Sequence, residues 1–418
     1  MKRPWPREFP GVHFYDKKED RAVLDVLHSG APFRYYGLKQ PRYVDAFESA
    51  AKRFYKVNYA LAVNSGTGAL MTAMTALGIG PGDEVIVPAF MWVSTVGAVV
   101  HANAVPVLCE IDDSFTMDPA DLEKKITART KLIVPVHMAG APADMDAVMS
   151  VANRHNVSVL EDCAQCNGGK FRGQRVGTFG QVGVFSLQLN KNFTAGEGGL
   201  LVTNDESLYY RLNAAHDVGV PWVDGACKPD LGHVTWGAGR RMSELIGAVA
   251  SVQLRKAPQI IRSMRHSKRR IKRMLAAFHA PGLNFRRLTD EQGDTACFLI
   301  LILPDESSAL ELAQRLSSVR ATRLAEYGMH IYYNIPQLVN KVPLSPAGNP
   351  WNLPQNLSSA CAYGKGACPR SDDLFTRSVI IPVPSCLTSA DESAAAQTIA
   401  AALPLQQSCR VGNSTSTR

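Results

Sequence analysis

Between residues 55 and 255, short apolar and β-branched runs alternate with stretches of helical period. The runs include 84–88 (Glu-Val-Ile-Val-Pro), 104–108, 131–136, 157–160, 183–185 and 199–202. Runs that are apolar almost throughout, rather than at alternate positions, suit strands covered on both faces. Intervening pieces such as 143–154 alternate polar and apolar residues with the period of a helix. Strand and helix in alternation build a mostly parallel sheet with crossover helices, so the pattern predicts an α/β fold. Such sheets bind ligands at the carboxyl ends of their strands, which is where chemistry-bearing residues are to be sought.

Beyond residue 255 the composition changes. A basic run over 255–274 carries Ile260, Ile261, Met264, Ile271, Met274 and, just after it, Leu275 at helical spacing. Its cations therefore occupy the opposite face of a helix and read as a solvated surface. A strand over 297–303, a helix over 307–316, a loop-rich stretch over 327–366, a strand over 379–382 and a helix over 389–403 form a smaller α/β unit. The expected division is an N-terminal segment 1–32, a large domain 33–255, a small C-terminal domain 256–405 with the basic helix connecting it, and a disordered polar tail 406–418. The formal charge of +8 is compatible with an anionic substrate, and no nucleic-acid motif accompanies it. No run of eighteen apolar residues is present, and prolines and charges stand where a signal peptide needs an apolar stretch. A cytoplasmic protein without membrane contact is expected. Nine scattered cysteines argue against a secreted disulfide framework, and Cys163 and Cys166 lack the companions a metal site needs.

Four stations along the large unit bear chemistry. Asn64-Ser-Gly-Thr-Gly68 opens a helix-like stretch, so Gly66 and Thr67 present free N–H groups and the positive end of a helix dipole to a phosphate. The same residues also make an ordinary turn and N-cap. Trp92, after the run at 84–88, can stack on a flat heteroaromatic ring or anchor a core. The run at 157–160 ends in Glu161 and Asp162, either of which can sit beneath a pyridinium nitrogen and keep it protonated. Lys191 follows a strand and precedes a Gly-rich turn, where a lysine can form an imine with an aldehyde cofactor and then shuttle protons. Phosphate cradle, ring cover, pyridinium partner and amine on one sheet are far more specific together than singly.

In these motifs the chain resembles the DegT/DnrJ/EryC1/StrS group of sugar aminotransferases, which use pyridoxal 5'-phosphate (PLP). The resemblance runs from about Phe33 to about Leu403 and rests on Asn64-Ser-Gly-Thr-Gly68, residues 80–88, 135–140, Glu161-Asp-Cys-Ala-Gln165, Phe185-Ser186 with Lys191 and residues 196–199, and Arg241-Met-Ser-Glu244. It implies PLP fold type I, the aspartate aminotransferase-like architecture of a large domain with a mostly parallel central sheet plus a smaller C-terminal α/β domain. It implies Lys191 as the Schiff-base lysine, Asp162 as the pyridinium partner and Gln165 beside the ring hydroxyl. Ser186 with Gly66 and Thr67 would hold the phosphate, and Trp92 would stack on the ring. The implied reaction is ping-pong transamination from L-glutamate or L-glutamine to a keto sugar or related carbonyl acceptor, in a homodimer with interface active sites and without a metal.

Three departures bear on the substrate while leaving the cofactor chemistry intact. Gly239 replaces an asparagine that commonly reaches the neighbouring subunit's phosphate, a loss for which Arg240 is the expected compensation. Met91 stands where threonine is frequent, and Tyr333-Asn-Ile-Pro336 replaces a Tyr-Pro-x-Pro pattern. Arg34, Tyr35 and Tyr333 are the candidate substrate residues, Arg34 as partner to a carboxylate or phosphate unless it is a surface arginine. Other readings are amino transfer to a non-sugar ketone or aldehyde, PLP-dependent sugar dehydration, and a non-catalytic PLP-binding regulator. Family members that dehydrate generally replace the lysine, so Lys191 counts against dehydration. No helix-turn-helix segment supports a regulator.

Overall fold

The computed structural model describes residues 4–223, 226–227, 232–277, 284–359 and 361–403. The expected tail at 406–418 lies outside the described residues.

Seven strands make the central sheet: β1 (Tyr59–Val63), β2 (Glu84–Pro88), β3 (Val105–Cys109), β4 (Thr130–Ile133), β5 (Ser158–Asp162), β6 (Val182–Ser186) and β7 (Gly199–Thr203). Their order across the sheet is β1-β7-β6-β5-β4-β2-β3. Strands β2 to β6 pair in parallel, β7 runs antiparallel to β6, and β1 runs antiparallel to β7. One strand of seven therefore opposes the rest. Five strands bury every residue or every residue but the first, as their apolar sequences require.

Helices cover both faces: α1 (Lys17–Ser29), α2 (Tyr43–Tyr55), α3 (Gly66–Ala76), α4 (Val93–His101), α5 (Pro119–Lys125), α6 (Met145–His155), α7 (Glu206–His216) and the 34-residue α8 (Glu244–Ala277). The first-turn N–H groups of α2 are fixed from far along the chain. Glu244 accepts hydrogen bonds from the amides of Arg42 (2.9 Å), Tyr43 (2.6 Å) and Val44 (2.9 Å). The boundary drawn at residue 255 falls inside α8, one continuous helix. Ala250 to Met264 pack in the core under the large sheet, and Ile271 and Leu275 pack in the core of the small unit. On the opposite face Arg262, His266, Arg269 and Arg273 are exposed.

The small unit is a four-stranded antiparallel sheet with Asn284–Phe285 at one edge, then Phe298–Ile302, Ser378–Pro382 and Thr322–Arg323. The helices Glu306–Arg315 and Ser389–Ala402 pack on it. Helix α1 packs on the first half of α8 through Ala22, Val26, Ala248 and Val252, whereas the start of the N-terminal segment packs on this unit. Trp5 is 4% exposed in the same core and donates its indole N–H to the Pro382 carbonyl at 3.3 Å. From here the chain returns to the large sheet. The Met91 amide donates to His330 O at 2.9 Å and the Tyr332 amide to Ala89 O at 3.2 Å. Among the described residues no helix is long and apolar enough to cross a membrane.

Candidate active site

The carboxyl ends of β2, β5 and β6 and the first turn of α3 surround a cavity of about 320 Å³. Ser65 caps α3, its Oγ accepting from the Gly68 amide at 2.9 Å. The earlier first-turn amides, on the cavity-lining Gly66 and Thr67, have no intrahelical partner. Ser186 reaches the same corner because Gly66 has no side chain. A Cβ there would lie 2.7 Å from Ser186 Cβ and 3.0 Å from its Oγ. Asn167 holds the serine's backbone by donating to the Ser186 carbonyl at 2.7 Å. Thr67 donates to Ser94 Oγ at 2.8 Å. The corner is a cradle for an anion made of amides, a hydroxyl and a helix dipole. Gly66→Ala is expected to close it and weaken PLP binding by about tenfold or more, the effect of overpacking a tight site. Spectroscopic titration of the cofactor into the variant measures this.

Successive side chains of a strand point to opposite faces, and that separates the two acids at the end of β5. Glu161 is fully buried, and its carboxylate accepts from the amides of Gly177 (2.7 Å), Phe179 (2.6 Å) and Gly180 (2.9 Å). It also pairs with His137 Nε2 at 3.0 Å, while His137 Nδ1 accepts from the Ala143 amide at 3.0 Å. These two side chains clamp a turn and have no free lone pair for a metal. Asp162 lines the cavity and is 3% exposed. Thr95 Oγ1 donates to its Oδ2 at 2.8 Å and the Ala164 amide to its Oδ1 at 3.0 Å. Held from two sides and able to accept more, the carboxylate suits a ring N–H.

Trp92 and His330 form an aromatic wall, their ring centroids 4.7 Å apart. His330 also stacks on Tyr327 at 4.5 Å, with Nδ1 donating to the Tyr327 carbonyl at 3.1 Å. Burial pushes its imidazole down to about 4, so the ring is neutral at pH 7. Gln165 accepts from the Ala139 amide at 3.2 Å. Lys191 follows a turn closed by its own amide on Gln188 O at 3.0 Å. Desolvation lowers the pKa of its amine below the ordinary lysine value, and Asp162 is the leading charge opposing that fall. Around one cavity stand an amide-and-hydroxyl cradle, an acceptor-only carboxylate, an indole and an amine with a depressed pKa. This donor set fits PLP.

A model of the DegT/DnrJ/EryC1/StrS aminotransferase family matches residues 15–400. The chain belongs to that family. Among its relatives are an L-glutamine:2-deoxy-scyllo-inosose aminotransferase of Micromonospora echinospora, 42% identical over 50% of this chain and 48% of the relative. A GDP-perosamine synthase of Escherichia coli O157:H7 is 39% identical over 52% of this chain and 59% of the relative. The chain thus spans about half the length of the curated relatives it matches. A crystal structure of 3-amino-5-hydroxybenzoic acid synthase superposes with a TM-score of 0.77 at 27% identity, over 96% of this chain and 98% of that one. The aspartate aminotransferase-like fold type I expected from the motifs is the fold of these family members.

Of the residues singled out by resemblance to the family, Gly66, Thr67, Trp92, Asp162, Gln165, Ser186 and Lys191 line this one cavity. Arg240, Arg34, Tyr35 and Tyr333 do not. Arg240 lies along α3, its Nη2 3.9 Å from Met71 Sδ. Arg34 is neither a surface arginine nor in reach of a ligand in this cavity. It is 7% exposed and makes a bidentate pair with Glu48 at 2.8 and 2.9 Å, while Glu48 also accepts from the Ala62 amide of β1 at 2.7 Å. A residue 14 positions away supplied the carboxylate expected of a substrate. Tyr333 packs on Phe375 with centroids 6.2 Å apart, its hydroxyl buried without a partner among the described residues.

The Tyr35 hydroxyl stands 3.4 Å from His216 Nε2, while His216 Nδ1 donates to the Asn213 carbonyl. His216 is fully buried, and desolvation pushes its pKa down to about 4 from 6.5. Between those pH values the unfolded chain binds a proton that the folded one refuses, so stability must fall as pH falls. The expected loss is on the order of 3 kcal/mol by pH 4, read as Tm against pH, and His216→Gln should flatten that slope.

The motifs did not reveal Ser94, Gln188, Asn190 and His330, which also line the cavity. Glu197 does so too, from the Gly-rich turn already noted. His330 carries no local signal, because only the return of residues 328–334 to the large sheet brings it there.

Proposed function

We propose that the protein is a PLP-dependent aminotransferase that takes the amino group of L-glutamine or L-glutamate and delivers it to a cyclic keto acceptor, a keto sugar or a cyclitol ketone. The observation that carries this reading is Lys191 and Asp162 in one cavity with the amide cradle of Gly66, Thr67 and Ser186. The relatives' names favour L-glutamine as donor and a polyhydroxylated ring ketone as acceptor.

Gly66, Thr67 and Ser186 would hold the phosphate, Trp92 would cover the ring and Gln165 would stand beside the ring hydroxyl. When bound, PLP supplies an aldehyde carbon that can carry an amino group and a ring that draws electrons from it. The burial that depresses the pKa of Lys191 raises the share of neutral, nucleophilic amine near neutral pH. With the donor bound, Lys191 Nζ would take the proton from the donor's α-carbon and later return a proton as general acid. Asp162, fixed by Thr95 and Ala164, keeps a proton on the ring nitrogen. Donor product leaves before the acceptor enters, which gives ping-pong kinetics.

The active form proposed is a homodimer. Tyr36, Leu38 and Trp236 are 71%, 90% and 92% exposed, surface that a second copy would cover.

Visible absorbance of the purified protein tests the reading. A yellow band that bleaches on adding L-glutamine or L-glutamate without acceptor is the expected result. A protein that takes up no PLP overturns it.

A further inference from the structure

Beyond Lys191 the cavity opens into a side chamber of about 30 Å³, and the two share Ala164, Gln165, Asn190, Lys191 and His330. Its far wall comes from segments remote in sequence, with Glu8 from the N-terminus and Cys297 and Tyr327 from the small unit. The segment bearing Glu8 is fastened on both sides. Trp5 is buried in the small unit's core, and Ser385 Oγ donates to the Pro10 carbonyl at 2.8 Å. Glu8 is thus held in place, yet among the described residues no hydrogen bond or ion pair reaches its carboxylate. Burial raises its pKa, and Lys191 and Arg320 pull it back. Arg320 is turned to the backbone, Nε donating to Trp5 O at 3.4 Å. For Lys191 the leading carboxylate is Asp162, ahead of Glu8.

A half-buried carboxylate with no protein donor has acceptor capacity that a ligand can fill, and such groups mark functional sites. The chamber is narrow and has room for a water molecule or one small polar substituent. We infer that Glu8 is a specificity-determining residue of the acceptor subsite. Its carboxylate accepts a hydrogen bond from a hydroxyl or ammonium group next to the reacting carbonyl and turns away a carboxylate or phosphate at that position. The inference rests on the aminotransferase reading and deepens it.

Glu8→Gln removes the charge at constant shape. The two half-reactions are measured separately, L-glutamine as donor by bleaching of the visible band, and as acceptor a cyclitol ketone with either a hydroxyl or a phosphate ester beside the carbonyl. The variant is expected to raise KM for the hydroxylated acceptor about tenfold, the scale of one charge-assisted hydrogen bond, and to narrow discrimination against the phosphorylated ring. The acceptor half-reaction should change at least about tenfold more than the donor half-reaction. Calorimetry on cofactor-free protein with an aminocyclitol lacking the carbonyl should show a similar loss of affinity. Equal slowing of both half-reactions would overturn the inference and make Glu8 the proton partner of Lys191. Unchanged KM and unchanged aminocyclitol binding would make it wall only. Should Glu8→Gln fail to fold, Glu8→Asp replaces it, keeping the charge one methylene further back and losing affinity while keeping the discrimination against phosphate. If no donor bleaches the wild-type protein the aminotransferase reading falls, whereas calorimetry alone still decides the role of Glu8.

Discussion

Lys191→Ala is expected to abolish amino transfer, with turnover falling by at least about 10⁴-fold, because in the proposed mechanism one side chain supplies both nucleophile and proton carrier. The fold should survive the change. Among the described residues the Lys191 amine takes part in no hydrogen bond or ion pair, and it ends in a cavity, so its removal strands no partner. The phosphate cradle and Asp162 remain, so PLP should still bind, without the yellow band that its link to the lysine produces. A small primary amine added to the buffer should restore part of the donor half-reaction by carrying the proton in place of Nζ. Turnover within tenfold of wild type would remove Lys191 from the mechanism.

Asp162→Asn is expected to lower turnover by about 10² to 10³-fold, the scale of removing one preorganised electrostatic group. The amide is isosteric. Its oxygen can still accept from the Ala164 amide, and the Thr95 hydroxyl can rotate to accept instead of donate. What is lost is the charge that, in the proposed mechanism, keeps the ring nitrogen protonated. A second readout follows from Lys191. The Asp162 carboxylate holds the lysine's pKa up against desolvation, so the variant's amine should titrate lower than the wild type's. The pH dependence of PLP uptake by the cofactor-free variant measures that shift. A shift in the opposite direction would contradict the placement of Asp162 opposite the amine.

Motifs at strand ends were legible because their geometry is local. In Asn64-Ser-Gly-Thr-Gly68 a serine caps the helix that its own next residue begins, and in 185–191 a strand, a turn and a lysine follow within seven residues. Glu161 and Asp162 were both plausible until the pleat of β5 sent one to a buried turn and the other to the cavity. The basic run of α8 is a helix as its apolar period predicts, but its cations are not all solvated. Arg262, Arg269 and Arg273 are exposed, whereas Lys268 is buried against Asp294 and Lys256 pairs with Glu19. Its continuity from the core of one unit into that of the other was not legible, since no composition break marks where a helix changes neighbours.

Arg34, Tyr333 and Glu8 show the remaining gap. Arg34 has the chemistry of a ligand-binding group, and α2 delivers Glu48 to it instead. Glu8 lies in a stretch without motif, and the anchoring of Trp5 on the small sheet sets it beside Lys191. The sequence by itself determined the α/β layering, the family and the motif residues that line the cavity, because strand burial, helix caps and strand-end turns depend on neighbours a few residues away. Only the tertiary structure decided which cations are spent on internal pairs and which remote side chains wall the cavity and its side chamber. Those outcomes depend on contacts between elements, from Arg34 with Glu48, 14 positions on, to Trp5 with Pro382 at the far end of the chain, to which local spacing is blind.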